Sequence, residues 1–429
     1  MSDDTIFALA TAQGRAGVAV VRISGTKAFE VASALCGSLP HDHRPVVRKL
    51  VDHHSVALDR ALVLRFDAPA SFTGEDIVEF HLHGSIAVVA AVLRALGTGT
   101  ARLAEPGEFT RRALENNKMD LAQVEALADL IEAETEAQRQ QALRGVSGGL
   151  SERIEEWRAK LIRGAALIEA TIDFVDEDVP VDVTPEVETL LFSVKRNIKD
   201  QLLGFAAAER VRNGFVVAIV GPPNAGKSTL LNALARRDAA IVSKTAGTTR
   251  DIIEVRMDLA GIPVTLLDTA GLRNVADEIE RQGISRAIER ASHADLRIFL
   301  SEPGTDLPVK QEPGDIVVAP KADCRSDNVS AVSGKTGKGV PELVNALTQE
   351  LAGRVSGAGL ITHERHRVAM TESLGMLTDA VEKVQRGSQF YDIAAEEIRA
   401  SIRCLEAVIG RVDVENLLDE IFSSFCLGK

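Results

Sequence analysis

FVVAIVGPPNAGKSTLLNALARR, residues 215–237, joins an apolar, β-branched run to a glycine-bearing turn and then to a segment with helical apolar spacing. That order predicts a strand from Phe215 to Val220, a helix from Lys227 to Arg237, and between them a loop of the form G-x-x-x-x-G-K-[ST]. Gly221 and Gly226 free the backbone to turn its N–H groups onto an anion at a helix N-terminus. Lys227 brings an ammonium to the terminal phosphates, and the Ser228 hydroxyl suits Mg²⁺. With Asn224, Ala225 and Thr229 completing the cradle, the stretch predicts a site for a nucleoside triphosphate.

Working outward, a second apolar run ends in DTAG (268–271). Asp268 is placed to hold Mg²⁺ through water. Gly271 can offer its N–H to a γ-phosphate, with Thr269 and Ala270 between them. GTTRD (247–251) lies between the two motifs. Its Thr249 hydroxyl could close on Mg²⁺ when the γ-phosphate is present, as a switch segment does, or the run is simply a threonine-rich loop. Base choice falls to Pro320-Lys321-Ala322-Asp323, because a carboxylate accepts two hydrogen bonds from the guanine N–H edge and adenine would leave it unpaired. Lys321 and Asp323 fit that role. Proline at 320 supplies no side-chain amide, so guanine is expected with its strength of selection open. Ser333-Gly334-Lys335 is the expected loop around the base, with Ser330-Ala331 competing. Leu272 directly follows DTAG and cannot orient a water, so another group must do so or hydrolysis is negligible.

Further strands are expected at 264–271, 295–300 and 315–320, alternating with helices, which implies an α/β domain with a mostly parallel sheet. Residues 1–118 mix strand-like runs (Val18 to Ile23, Leu62 to Phe66, Ile77 to Leu82) with a helical stretch, Ile86 to Leu96, and read as an α+β unit. Residues 119–212 are helical, with Leu150, Ile154, Trp157, Leu161, Ile168 and Ile172 on one expected buried face. Helical patterning returns over 358–429 with Val368, Leu374, Leu377 and Val384. The expected fold is therefore multidomain, α/β and α+β: an N-terminal α+β domain and a helical domain interrupted by a P-loop domain at 213–357. Interruption at a surface loop leaves a helical core intact.

The chain has 429 residues, 49 Lys+Arg and 62 Asp+Glu, a net charge of −13, which argues against a whole-surface nucleic-acid binder but not against a local basic patch. No apolar run reaches the roughly 18 residues of a membrane span, and the acidic start is unlike a secretory signal, so no membrane and a cytoplasmic location are expected. Cys36, Cys324, Cys404 and Cys426 are too dispersed for zinc and read as reduced thiols. His41/His43, His53/His54 and His81/His83 lack further ligands at metal spacing. Arg111 and Arg112 in GEFTRRA either face phosphate or form a solvated helix face, the latter being the expectation.

GPPNAGKST, AGTTRD and DTAGLR with DEIERQGI (277–284), flanked by DTIFALAT, VRISG, FTGEDIVE, PGEFTRRA, NKMDLAQVEAL and the terminal IFSSFCLGK, resemble the MnmE (TrmE) family of tRNA-modification GTPases essentially end to end. The resemblance implies a potassium-activated GTPase that forms a homodimer and pairs with the FAD-dependent MnmG. It would install an aminomethyl or carboxymethylaminomethyl group on the wobble uridine of certain tRNAs using a folate one-carbon unit, from 5-formyl- or 5,10-methylene-tetrahydrofolate. It implies that GTP and Mg²⁺ bind at the motifs above. Asn224 would ligate K⁺ together with Ser243, Thr245 and Thr248, in a loop with Lys244, Ala246 and Gly247. Glu280, by residue type an ordinary helical glutamate, becomes the water-positioning acid, with Lys227 and Thr249 as its catalytic companions. Arg22, Glu79, Lys118 and Lys429 fall on folate-site positions, where a carboxylate could meet the pterin edge and the cations the glutamate tail. Cys426 matches the family's terminal cysteine, either a reactive thiolate or a buried inert thiol. A GTP-switched binding protein, such as a ribosome-assembly GTPase without one-carbon chemistry, is the alternative that the nucleotide motifs alone permit.

Overall fold

Apolar strands and amphipathic helices sort into two units in a computed structural model, one comprising Met1–Ala128 with Glu406–Lys429 and the other Asp129–Leu405. The structure describes residues 4–41, 44–173, 182–237, 254–268, 288–302, 304–305, 307–326, 330–412, 421–422 and 428. Among the described residues, no helix is long and apolar enough to cross a membrane.

The first unit is built on β1 (Thr5–Leu9), β2 (Val18–Ser24), β3 (Val46–Val51), β4 (Ala57–Phe66), β5 (Ile77–His83) and β6 (Ala101–Leu103), in the order β3-β4-β5-β2-β1-β6. The pairings are antiparallel except β1 with β6. Alternation along β1 explains its two-sided burial. Phe7 joins Val21, Ile23, Phe80 and Leu82 beneath α1 (Ala28–Cys36) and α2 (Ile86–Leu96), while Ile6 and Ala8 meet Ala104 and Phe109 on the opposite face. Phe109 comes from α3 (Glu108–Glu115), which α4 (Leu121–Glu132) follows.

Arg112, also on α3, overturns the expectation of a solvated helix face. It is 3% exposed and donates to Asp4 Oδ1 (2.8 Å), Glu108 Oε1 (3.0 Å) and Glu75 Oε2 (3.1 Å). Burial alone would depress the guanidinium, but Glu75 and Glu108 hold it above its ordinary value. Helical spacing sees Arg111 and Arg112 as equivalents, whereas only Arg111 reaches the surface, pairing with Glu115 at 3.4 Å. Arg112→Met should leave Glu75 without its cation and Glu108 with Arg102 alone, destabilising the first unit toward the low end of the roughly 3–5 kcal/mol seen for broken buried pairs. Hydrogen exchange of the β1 and α3 amides measures this, and unchanged protection would refute it.

Among the described residues, the second unit combines helices with a six-stranded sheet. The helices α5 (Glu136–Val146), α6 (Gly149–Asp173) and α10 (Glu364–Gln385) pack on α7 (Thr184–Asn213). Leu150, Ile154, Trp157, Leu161 and Ile168 are buried as expected. Ile172 is not: it is 39% exposed, in the last turn of α6. On α10, Val368 is likewise exposed, and the inward face runs through His366, Met370, Ser373, Leu377 and Val384. Ser373 is drawn in by a 2.8 Å hydroxyl pair with Ser401 on α11 (Tyr391–Val408).

The sheet contains β7 (Phe215–Val220), β8 (Glu254–Leu259), β9 (Ile262–Asp268), β10 (Leu296–Leu300), β11 (Ile316–Pro320) and β12 (Ala331–Val332), ordered β12-β11-β10-β7-β9-β8. All pairings are parallel except β8 with β9. α8 (Lys227–Arg237) and α9 (Val340–Val355) contribute Leu230, Leu231, Leu234, Leu343 and Leu347 to one core. The winding reverses at β7, the topological switch point where open α/β sheets bind ligands outside the strand C-termini.

The helices are tied to this sheet by hydrogen bonds. Thr135 and Gln138 form a capping box on α5, Ala137 donates to the Gly261 carbonyl in the β8–β9 turn (3.0 Å), and Gln138 donates to the Arg212 carbonyl (2.9 Å). Asp129 bridges Arg212 (2.8 Å) and His363 (3.0 Å). Burial pushes its carboxyl up, but these two partners prevail and hold it below the usual range.

Candidate functional site

The loop after β7 folds as its glycine pattern predicts. Asn224 (φ +61°) and Gly226 (φ +94°) take left-handed conformations, Ala225 N–H returns to the Pro222 carbonyl (3.3 Å), and α8 starts at Lys227 with Leu230 N–H on the Gly226 carbonyl. The free N–H groups of that first helical turn and its dipole favour an anion. Lys227 is 5% exposed and curls back to donate to the Gly221 (2.9 Å) and Pro222 (3.0 Å) carbonyls. Burial lowers its ammonium pKa, and Asp268 partly opposes that. Asp268, 4% exposed, ends β9 in parallel register with Ile219 of β7, so the acid lies at the same sheet edge as the loop. Half-buried Ser228 and buried Asp268 are hard oxygen donors, a set that fits Mg²⁺.

The base motif lies across the same edge. Lys321 is left-handed (φ +59°) and opens a short 3₁₀ turn, Ala322–Cys324, that presents Asp323. The Ser333 hydroxyl, then the turn's backbone and the thiol of Cys324, with Lys335 nearby, hold the Asp323 carboxyl below its usual range. A cavity of about 280 Å³ is lined by Asn224, Ala225, Gly226 and Thr229 on one side and by Lys321, Asp323, Ser333, Gly334 and Lys335 on the other. Thus Ser333–Lys335 share a cavity with Asp323. Of the competing pair, Ala331 is absorbed into β12 and Ser330 into the Ala319 N–H to Ser330 carbonyl bond (2.9 Å) that precedes it. Gly334 is required by close approach: a Cβ there would stand 2.5 Å from the Thr229 carbonyl carbon. That contact presses the base loop against α8 and closes the cavity floor with Leu230 and Val332.

In the first unit, Arg22 and Glu79 face each other across β2 and β5 and pair at 2.9 Å. The expected division, with Glu79 for a pterin edge and Arg22 for a carboxylate tail, therefore meets two groups already engaged with one another. A carboxylate has acceptor capacity beyond one guanidinium. Here the second oxygen lies 3.3 Å from His81 Nε2. Arg22 also lies over Phe72 and Phe109, at 5.2 and 5.7 Å from their ring centres. The Lys118 chain lies against Gly74, and Asn116 donates to the Thr73 carbonyl (2.7 Å), so this end of the sheet gathers Arg22, Glu79 and Lys118 around the 72–76 turn. His83 pairs with Asp59 at 2.7 Å.

Ser243, Lys244, Thr245, Ala246, Gly247, Thr248, Thr249, Thr269, Ala270, Gly271, Leu272, Glu280, Cys426 and Lys429 lie outside the described residues. Two residues at the base turn escaped sequence reasoning. Cys324 lines the cavity, with Sγ 3.5 Å from Asp323 Oδ2, and its place directly after Asp323 was the available signal. Lys338 reaches the Ala322 carbonyl (3.2 Å), a contact that no motif spacing announces.

The chain matches two family models, "MnmE helical domain" over residues 121–426 and "GTP-binding protein TrmE N-terminus" over residues 5–118. It is 61% identical over 427 residues to the tRNA modification GTPase MnmE of Roseobacter denitrificans, covering 99% of this chain and 100% of that protein. With the protein of the same description from Ruegeria pomeroyi it shares 58% identity over 427 residues, at the same coverage. Among solved structures, a GTP-binding protein from Sulfolobus solfataricus in complex with GDP has a TM-score of 0.25 and 13% identity, covering 46% of this chain and 67% of that one.

Proposed function

The chain belongs to the MnmE family of tRNA modification GTPases, and on that premise we propose that it hydrolyses GTP at the β7–α8 loop to drive a one-carbon modification of the wobble uridine in certain tRNAs. The observation that carries the nucleotide half is the cavity shared by the phosphate loop, Asp323 and Ser333–Lys335. Lys227 leaves the Gly221 and Pro222 carbonyls for the β- and γ-phosphate oxygens, and Asp323 accepts from the guanine edge. Ser228 and Thr249 are the Mg²⁺ ligands, with Asp268 acting through water. Asn224, Ser243, Thr245 and Thr248 hold K⁺. Bound there, the two cations supply the positive charge that an arginine finger supplies elsewhere. Glu280 positions the attacking water in place of Leu272.

In the first unit, Glu79 with Arg22, Lys118 and Lys429 receives the tetrahydrofolate derivative, which supplies the carbon. Glu79 keeps acceptor capacity toward a donor edge, and the cations meet the carboxylate tail. A homodimer acting with the FAD-dependent MnmG in the cytoplasm completes the reading. Hydrolysis should be at least about tenfold faster in KCl than in NaCl at equal ionic strength, the cation standing in for a charge worth 10³–10⁵ when an arginine supplies it. Equal rates would remove Asn224 from its assigned role. Mass spectrometry of tRNA from a deletion strain tests the substrate, and unmodified wobble uridines are the expected result. Unchanged tRNA would favour a GTP-switched binding protein instead.

A further inference from the structure

We propose that Lys338 is a positioning residue for base recognition, securing the Asp323 turn in place of the side-chain amide that Pro320 cannot provide. The inference rests on the nucleotide reading above. Pro320 closes β11 opposite Val332 and offers neither an N–H nor an amide to the loop that follows. That loop has little structure of its own. It is a three-residue turn entered through a left-handed Lys321, with one backbone bond from Cys324 N–H to the Lys321 carbonyl (2.9 Å).

The turn is held from outside, by the chain just past the base loop. Gly339 (φ +78°) reverses that chain so tightly that a Cβ would stand 2.1 Å from the Ala331 carbonyl oxygen. The reversal lets Ser333 N–H bond the Lys338 carbonyl (2.8 Å), and Gly337 N–H bonds the Ser333 carbonyl (2.9 Å). From this locked backbone the Lys338 ammonium donates to the Ala322 carbonyl at 3.2 Å, one residue before Asp323. Ser333 lines the same cavity as Asp323, and its hydroxyl helps hold that carboxyl below its usual range. Ser333, Lys338 and Ala322 thus form a chain of contacts that ends next to Asp323. On the other side of the turn, a crevice of about 400 Å³ bounded by Pro222, Asn224, Pro320, Lys321 and Arg325 separates it from the phosphate loop, which leaves room for a side chain at 320 to reach across.

A tether acting through Asp323 affects recognition of the base edge more than phosphate chemistry. In the full-length protein, Lys338→Met should raise the GTP Kd about tenfold, a charge-assisted hydrogen bond being lost at an exposed site. The ratio of GTP to inosine triphosphate affinity should narrow, because inosine lacks the 2-amino group that a correctly placed Asp323 reads, while kcat at saturating GTP stays within about twofold. Lys338→Arg should retain wild-type affinity within about threefold. Pro320→Asn in the Lys338→Met background should recover both affinity and selectivity. An unchanged GTP Kd, or equal losses for GTP and inosine triphosphate, would overturn the proposal. Asp323→Asn is the control: if it shifts preference to xanthosine triphosphate while Lys338→Met does nothing, only the Lys338 inference fails. If Asp323→Asn leaves base preference unaltered, the nucleotide pocket itself has been misread and the inference falls with it.

Discussion

Lys227→Ala is expected to reduce GTP hydrolysis by at least about 10²–10³-fold under single-turnover conditions at saturating GTP and Mg²⁺. The lysine is held at the turn between β7 and α8, 5% exposed, with its ammonium on two loop carbonyls. That arrangement keeps the charge beside the phosphate path, and a positioned charge of this kind is worth several kcal/mol per donor in the transition state. Its lowered pKa follows from burial, so the incoming phosphates restore a partner to an ammonium that the protein has partly desolvated. Removing it also leaves the Gly221 and Pro222 carbonyls without their donor, so nucleotide binding should weaken too. A loss below tenfold would mean that the charge needed at the γ-phosphate comes from elsewhere.

The second large effect belongs to Asp323→Asn, for which GTP affinity should fall about 10³–10⁴-fold while xanthosine triphosphate becomes the preferred ligand. A carboxylate matched to two N–H donors discriminates by leaving the wrong base with unpaired polar groups, and sites built this way reach 10⁴–10⁵. The lower range is expected here because Asp323 is solvent-exposed before the base arrives. An asparagine carbonyl accepts one bond, and its amide then faces the guanine donors, whereas xanthine offers that amide an oxygen. Competition binding with the two triphosphates decides the matter, and an unchanged order of preference would refute the assignment.

Much of this site was legible because its chemistry is local. The phosphate loop is nine consecutive residues whose conformations follow from Gly226 and a following helix, and β7, β9, β10 and β11 lie within a few residues of where apolar runs place them. What the sequence concealed depends on register and tertiary company. β8 alternates buried Met257 and Leu259 with polar neighbours, a half-buried pattern that is weak in six residues. The Arg22–Glu79 pair requires the β2–β5 register, which no spacing of 57 residues reveals. Arg112 sits inside because Asp4 and Glu75 converge on it from two distant segments to join Glu108 of its own helix, and apolar periodicity is blind to a buried ion cluster. Val368 differs for the opposite reason: an apolar side chain can face water at little cost, and α10 turns His366 and Ser373 inward instead.

The returning chain at Gly359 hydrogen-bonds the Gly204 carbonyl on α7 at 3.2 Å, and Leu360 N–H bonds Gln201 Oε1 at 2.8 Å. The chain leaves α7 at Gly214 and returns against the same helix at Gly204 and Gln201, so both ends of the intervening segment are held by α7. Because Ala137 of α5 also grips the β8–β9 turn, helices and sheet form one compact unit, and a strain imposed on α7 is passed directly to the nucleotide-binding edge.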